Sequence, residues 1–275
     1  MAGFTVVGSP MNTRWFPVDY NAVTLYVGQL VTWCFGDSGQ GLKAWDVAGA
    51  MDTTVDPGQA PMGVVIGFNN RVPLFDTTYK GEYGTSVSTQ AAQLARESVM
   101  AQGMWKNDPA LCAQVAVLDT TTQLKGRIFD TTYGTAPDVV TNTTQSTTGA
   151  TITTAAVDHT YPAYNAMWYC RSGGNMGLYR PSYSASTTSH TFYLTWPYDI
   201  EVGDTFVPVA FTLGMSKMMF DSVGTYVEQW GNDHATSYST NYLWVDVMDI
   251  NLATAGNEYV IFRPNVCQFS PINRG

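Results

Sequence analysis

The sequence predicts a mainly β fold: an antiparallel β-barrel or β-sandwich, jelly-roll-like, with one short helix near residues 89–102. Three observations predict it. Period-2 alternation recurs in short segments down the chain, as in residues 29–35, where Leu30, Thr32, Cys34 and Val31, Trp33, Phe35 fall on opposite faces. Gly, Pro, Asn and Asp punctuate those segments at short intervals, and threonine, which suits a pleated half-buried surface, occurs in runs such as Thr120-Thr121-Thr122. Charged residues make up 13% of the 275, against 45% hydrophobic and 13% aromatic. An ordinary domain carries about a quarter of its residues as Asp, Glu, Lys and Arg, so much of this surface is neutral, hydroxylated or aromatic and suits contact with other protein.

Residues 1–20 read as an extended N-terminal arm, 21–137 as a β-barrel-like domain with one helix, and 138–275 as an antiparallel β-sandwich domain. In the first domain, 23–27 runs into Gly28 and the strand 29–35 follows. The loop Gly36-Asp37-Ser38-Gly39-Gln40-Gly41 separates it from an apolar strand at 62–68. Between Thr89 and Gln102 the spacing of Ala91, Ala92, Leu94, Ala95, Val99 and Met100 is helical, with Thr89 as N-cap and Gly103 just past the C-terminus. Residues 111–118 and 124–129 read as a hairpin joined by a hydroxyl-rich loop at 119–123.

A Ser/Thr-rich stretch from Gly134 to about Thr154 reads as a linker or long exposed loop. Strands resume at 167–170, 177–180, 187–196, 205–213, 242–252 and 258–262, with turns at Gly173-Gly174-Asn175 and Val202-Gly203-Asp204. One echo exists: Phe75-Asp76-Thr77-Thr78-Tyr79 recurs as Phe129-Asp130-Thr131-Thr132-Tyr133, which reads as one turn used twice, with a duplicated fold as the alternative.

Charge and cysteine usage exclude several function classes. A net charge of −9, with Lys and Arg few and scattered, argues against a surface for nucleic acid. No stretch approaches the roughly 18 apolar residues needed to cross a bilayer, so no membrane partner is expected. Cys34, Cys112, Cys170 and Cys267 form no C-x-x-C pair and read as buried thiols of a protein assembled in a reducing compartment. The N-terminus has no basic, apolar leader pattern, so secretion is not expected.

Enzyme motifs are weak. Gly36-Asp37-Ser38-Gly39 matches the nucleophile loop of trypsin-like proteases, yet no histidine precedes Ser38, and a hairpin loop is the better reading. His159, His190 and His234 are too widely separated for a compact metal site and read as surface or interface histidines. Asp199, Glu201, Asp204, Asp221 and Asp246 offer carboxylates but no pair that spacing selects. No catalytic residue, metal or cofactor is therefore expected, and the chain is not read as an enzyme. Tryptophan carries more weight, since each buries about 150–250 Å². Trp33, Trp168, Trp196 and Trp244 lie in strand patterns and are expected in the core, while Trp15, Trp105 and Trp230 lie near turns or ends. With Arg14 and Phe16, these last three make the candidate interface.

The run Tyr26-Val27-Gly28-Gln29-Leu30-Val31, followed after a variable loop by Ala60-Pro61-Met62-Gly63-Val64-Val65-Ile66-Gly67, resembles the β-barrel layout of tailed-phage head decoration (cement) proteins. Trp196-Pro197-Tyr198-Asp199-Ile200-Glu201-Val202-Gly203-Asp204-Thr205-Phe206 is similar to the Gly-Asp turn before a barrel strand in virion proteins. The matching pieces cover about a third of the chain. The resemblance implies a homotrimer seated on the major capsid protein lattice, assembled in the host cytoplasm, clamping the shell from outside. The chain is longer than small decoration proteins and adds a second β region. A jelly-roll major capsid protein and a tail or fibre adhesin that binds glycans through Trp and Tyr are the competing expectations.

Overall fold

The computed structural model describes residues 3–8, 12–17, 25–36, 39–45, 61–68, 112–119, 121–130, 135–154, 166–186, 188–220, 224, 226–228 and 242–265. Among these there are strands and no helix. The expected helix at 89–102, the first copy of the Phe-Asp-Thr-Thr-Tyr echo, Trp105 and Trp230 lie outside the described residues. By compactness the chain forms two units, one of residues 1–126, 220–225 and 263–275, the other of 127–219 and 226–262.

The first unit is built on β2 (Asn12–Pro17), β3 (Leu30–Gly36), β4 (Gly39–Ala44), β5 (Gly63–Phe68) and β6 (Cys112–Val117), in the sheet order β2-β6-β5-β3-β4. Its core gathers Leu25, Val31, Leu42, Met62, Val65, Ala113 and Val115. Phe16 of β2 packs on Trp33 of β3 with ring centroids 5.8 Å apart, although the two strands are not sheet neighbours, so the sheet curls around this core. Gly36 pairs with Gly39 at the end of the antiparallel β3–β4 ladder. Gly28 has φ +86° in the turn that leads into β3, where the Gln29 N–H donates to Tyr26 O. A Cβ on Gly28 would stand 2.4 Å from the Cα of Gly3, so only glycine permits the two backbones to approach.

Two expectations are corrected in this unit. The arm is not free: β1 (Thr5–Val7) pairs antiparallel with the start of β7 (Gln123–Phe129), and β2 pairs with β6 along its whole length. Nor do the strands at 112–117 and 123–129 form a hairpin. β6 already has β2 on one edge and β5 on the other, so neither edge is open to β7, which joins a different sheet. The connection is a turn fixed by Asp119, whose Oδ1 accepts from the Thr121 N–H at 2.8 Å and from the hydroxyls of Thr121 and Thr122.

The second unit contains a barrel-like sheet. Its strands are β8 (Val140–Thr141), β9 (Thr151–Thr153), β10 (Met167–Cys170), β11 (Tyr179–Ala185), β12 (Ser189–Phe192) and β13 (Thr205–Val209), in the order β8-β13-β10-β11-β12-β9 with antiparallel neighbours. The end strands then meet, because Asn142, just after β8, bridges Thr154, just after β9. Val140, Ile152, Ala166, Trp168, Cys170, Phe192, Trp196, Ile200 and Phe206 fill the interior. Period-2 alternation supplies this filling, most plainly in β12, where His190 and Phe192 are buried while Ser189 is exposed. The Ser/Thr-rich stretch expected as a linker is therefore a wall of the barrel, and its hydroxyls serve strand edges and turns.

Beside the barrel lies a second sheet in which β7, β17 (Tyr259–Pro264), β16 (Tyr242–Asn251) and β14 (Gly214–Met219) are neighbours in that order, with β15 (Val227–Glu228) parallel to β7. Within this unit Arg171, at the end of β10, donates from Nη2 to Glu258 Oε1 at 2.5 Å and from Nε to Leu252 O at 2.8 Å. The Tyr179 hydroxyl donates to Ile250 O at 2.7 Å. These bonds clasp the barrel to the β16–β17 connection.

Candidate interaction surface

The β14–β16 ribbon carries large apolar side chains on both faces. Antiparallel register places Ser216 opposite Val245, with Met218 one step further on the same face, and these side chains are buried. The alternate residues point outward: Met215 is 74% exposed, Trp244 50% and Met248 42%, with Asp246 opposite Met215 between them. Large apolar side chains scattered singly over a surface need no explanation. Three of them with consistent facing on one two-stranded ribbon, β14 ending the sheet, form a patch of the kind that marks contact with another molecule.

Trp244 was expected in the core, and its exposure corrects that expectation. Residues 242–248 read Tyr-Leu-Trp-Val-Asp-Val-Met, apolar at both parities, so alternation alone does not say which face is inside. Register does: the smaller Val245 and Val247 are buried and Trp244 is turned out. Trp168 and Trp196 are core residues as expected, and Trp33 is half-buried against Phe16. Trp45 is fully buried, edge-on to Phe220 at 5.5 Å.

Of the candidate interface residues, Arg14 and Trp15 are exposed on β2, Trp15 at 49%. Phe16 instead packs against the core of its own unit. The barrel carries a further exposed aromatic pair that sequence reading missed, Tyr183 and Tyr193, edge-to-face at 5.1 Å with Leu194 exposed beside them. No pattern in the sequence announces this pair, because it depends on a shift of register between Ser182 and Ser184.

Of the titratable groups that invited a chemical reading, Asp204 and Glu201 hold turns of the second unit. Asp204 is buried in the 201–204 turn, where its Oδ2 accepts from the Glu201 N–H at 3.0 Å. Glu201 accepts from Gln145 Nε2 at 3.1 Å, and Asp199 is exposed. Asp221, His159 and His234 lie outside the described residues. His190, expected at the surface or an interface, is instead fully buried on the Trp168 ring with centroids 4.4 Å apart, and burial depresses its pKa to about 4. Cys170 is a buried free thiol whose pKa burial pushes up to about 12, and its Sγ–H donates to Ser172 O. Among the described residues no group of three or more His, Cys, Asp or Glu is placed to hold a metal ion.

No known family, curated protein or solved structure matches this chain.

Proposed function

We propose that this chain is a structural component of a virion: a capsid decoration, or cement, protein that binds the outside of the major capsid protein lattice and stabilises the shell without catalysing a reaction. The observation that carries the reading is the outward face of β14–β16, where Met215, Trp244 and Met248 stand exposed on paired strands. Shell stabilisation works through many modest contacts multiplied over a lattice, and a neutral, aromatic surface provides them. A net charge of −9 fits a position away from packaged nucleic acid. The reading also takes in a homotrimer, assembled in the cytoplasm of the host.

The test is the mass of the purified chain in solution together with co-sedimentation on shells of the virus that encodes it. A trimer that pellets with shells supports the proposal, and a monomer that stays in the supernatant rejects it. A glycan-binding adhesin is the second reading, favoured by the exposed Tyr183–Tyr193 pair. Binding to a glycan array, lost in Tyr193→Ser, would select it.

A further inference from the structure

We propose that the second unit carries a site for an acidic saccharide, in which Arg180 holds a carboxylate of the sugar and the Tyr183–Tyr193 pair receives a pyranose ring. This site rests on the glycan-binding reading and narrows it, because it demands a negative charge on the ligand.

Arg180 supplies the complementary charge. Among the described residues no carboxylate pairs with it, although the chain holds 22 acidic side chains against 13 basic ones. Its guanidinium is nonetheless fixed in place. Nε donates to Thr195 O at 3.2 Å, Nη1 donates to Tyr179 O at 2.9 Å, and the group lies 5.7 Å from the centroid of the Trp196 ring. Two neutral carbonyls orient the guanidinium without cancelling its charge. The N–H groups of Nη2 and one of Nη1 are left for an outside acceptor, and that planar fork matches a carboxylate.

Backbone pairing brings this charge to the same stretch of chain as the exposed tyrosines. Arg180 and Pro181 are consecutive on β11; Arg180 is bonded to Thr195, and Pro181 O accepts from the Tyr193 N–H at 3.3 Å. The guanidinium and the Tyr193 ring are therefore both anchored on residues 193–195. Tyr193 meets Tyr183 edge-to-face, an arrangement that leaves ring surface uncovered, and the C–H bonds on one face of a pyranose rest well on such a surface. Ser184, next to Tyr183 in the chain, and Thr195 are exposed and present hydroxyls to a sugar. A neutral glycan uses the rings and leaves the guanidinium charge unmet. A bare anion does the reverse, and an acidic saccharide engages both.

NMR titrations of the full chain test this by comparing sialyllactose with lactose and trigalacturonic acid with maltotriose. At low salt at least one acidic probe is expected to bind about tenfold or more tighter than its neutral counterpart, and salt at about 0.5 M is expected to narrow that gap. Arg180→Met is expected to remove the preference for acid and keep weak binding of the neutral sugar, whereas Tyr193→Ser weakens both. Equal affinity within both pairs, a preference that salt does not change, or a preference retained in Arg180→Met would overturn the proposal. Binding that is confined to neutral sugars overturns the acidic site and keeps the glycan-binding reading, and binding of no probe overturns both. If Arg180→Met does not fold, the Arg180 Nε–H signal of the natural chain decides: movement with the acidic probe alone upholds the proposal, and a static signal overturns it.

Discussion

Asn142 bridges Thr154 at the seam of the barrel, and its side chain holds the seam from both sides. Nδ2 donates to Thr144 O and Glu201 O, each at 2.8 Å, and Oδ1 accepts from the Thr153 N–H at 3.0 Å. Alanine at this position strands a backbone donor and two acceptors at a site only 1% exposed. Asn142→Ala should therefore lower stability by about 2–4 kcal/mol, read as a drop in the urea midpoint at unchanged slope. A loss below about 0.5 kcal/mol would mean that the seam does not depend on this residue.

Gly63 and Gly67 on β5 make a matched pair. A Cβ on Gly63 would stand 2.2 Å from Val115 Cγ1 and 2.5 Å from the carbonyl oxygen of Ala116, and the second clash is with backbone that cannot rotate away. At Gly67 the nearest atom is Gln114 Oε1 at 3.6 Å. Gly63→Ala should destabilise by about 1–3 kcal/mol, and Gly67→Ala should stay within about 0.5 kcal/mol. Thermal unfolding of the two variants side by side measures the difference, and equal effects would contradict the close approach of β5 and β6.

How far the sequence was legible follows from what each signal can encode. Alternation located β3, β5, β10, β12, β13, β16 and β17 to within a few residues because each has a buried face. It missed β1, β2, β4, β8, β9, β14 and β15, of which β8 and β9 are only two and three residues long, too short for a period to appear. Partner choice was not legible at all. The segments at 112–117 and 123–129 look like a hairpin because they are adjacent, and only the pairing of β6 on both edges excludes it. Asn142, a polar residue in a Thr-rich run, reads as surface until its five hydrogen bonds are seen. On the candidate surface, Trp15 is exposed on β2, while the outward facing of Met215 and Trp244 emerges only from register.

His190 also sets a pH dependence of global stability. Its folded pKa, about 4, lies below the ordinary 6.5, so the unfolded chain takes up a proton that the folded chain refuses. The stabilisation is fully present above pH 6.5, declines as pH falls from there through 4, and levels off below. The loss should reach about 3 kcal/mol once pH is below 4. His190→Gln should remove this part of the acid dependence, as measured by urea unfolding at pH 7.0, 5.5 and 4.5.

The Arg171–Glu258 pair should behave as a unit. Glu258 is buried and Arg171 nearly so, so removing one partner leaves a charge without its counterion. Glu258→Gln or Arg171→Met alone should each cost about 3–5 kcal/mol. The double variant should cost well under their sum, because no lone charge remains. Additive losses in this cycle would show that the two side chains act separately.

The outward face of β14–β16 makes the opposite demand, that a substitution change association and not folding. Trp244 is half exposed and Met215 more so, and their buried neighbours across the ribbon are Ser216, Met218, Val245 and Val247. Replacing Trp244 and Met215 by Ser leaves those inward contacts in place, so unfolding should shift by no more than about 1 kcal/mol. Large side chains at the centre of an interface, by contrast, often carry about 2 kcal/mol or more each. Loss of both should weaken self-association or shell binding by about a hundredfold or more, measured by analytical ultracentrifugation and co-sedimentation. Unchanged association with unchanged stability would remove this face from the proposed contact and shift attention to Trp15 or to Tyr183 and Tyr193. A large fall in stability would instead mean that the ribbon needs its outer side chains to fold, since cross-strand pairs such as Met215 with Asp246 also contribute to sheet stability.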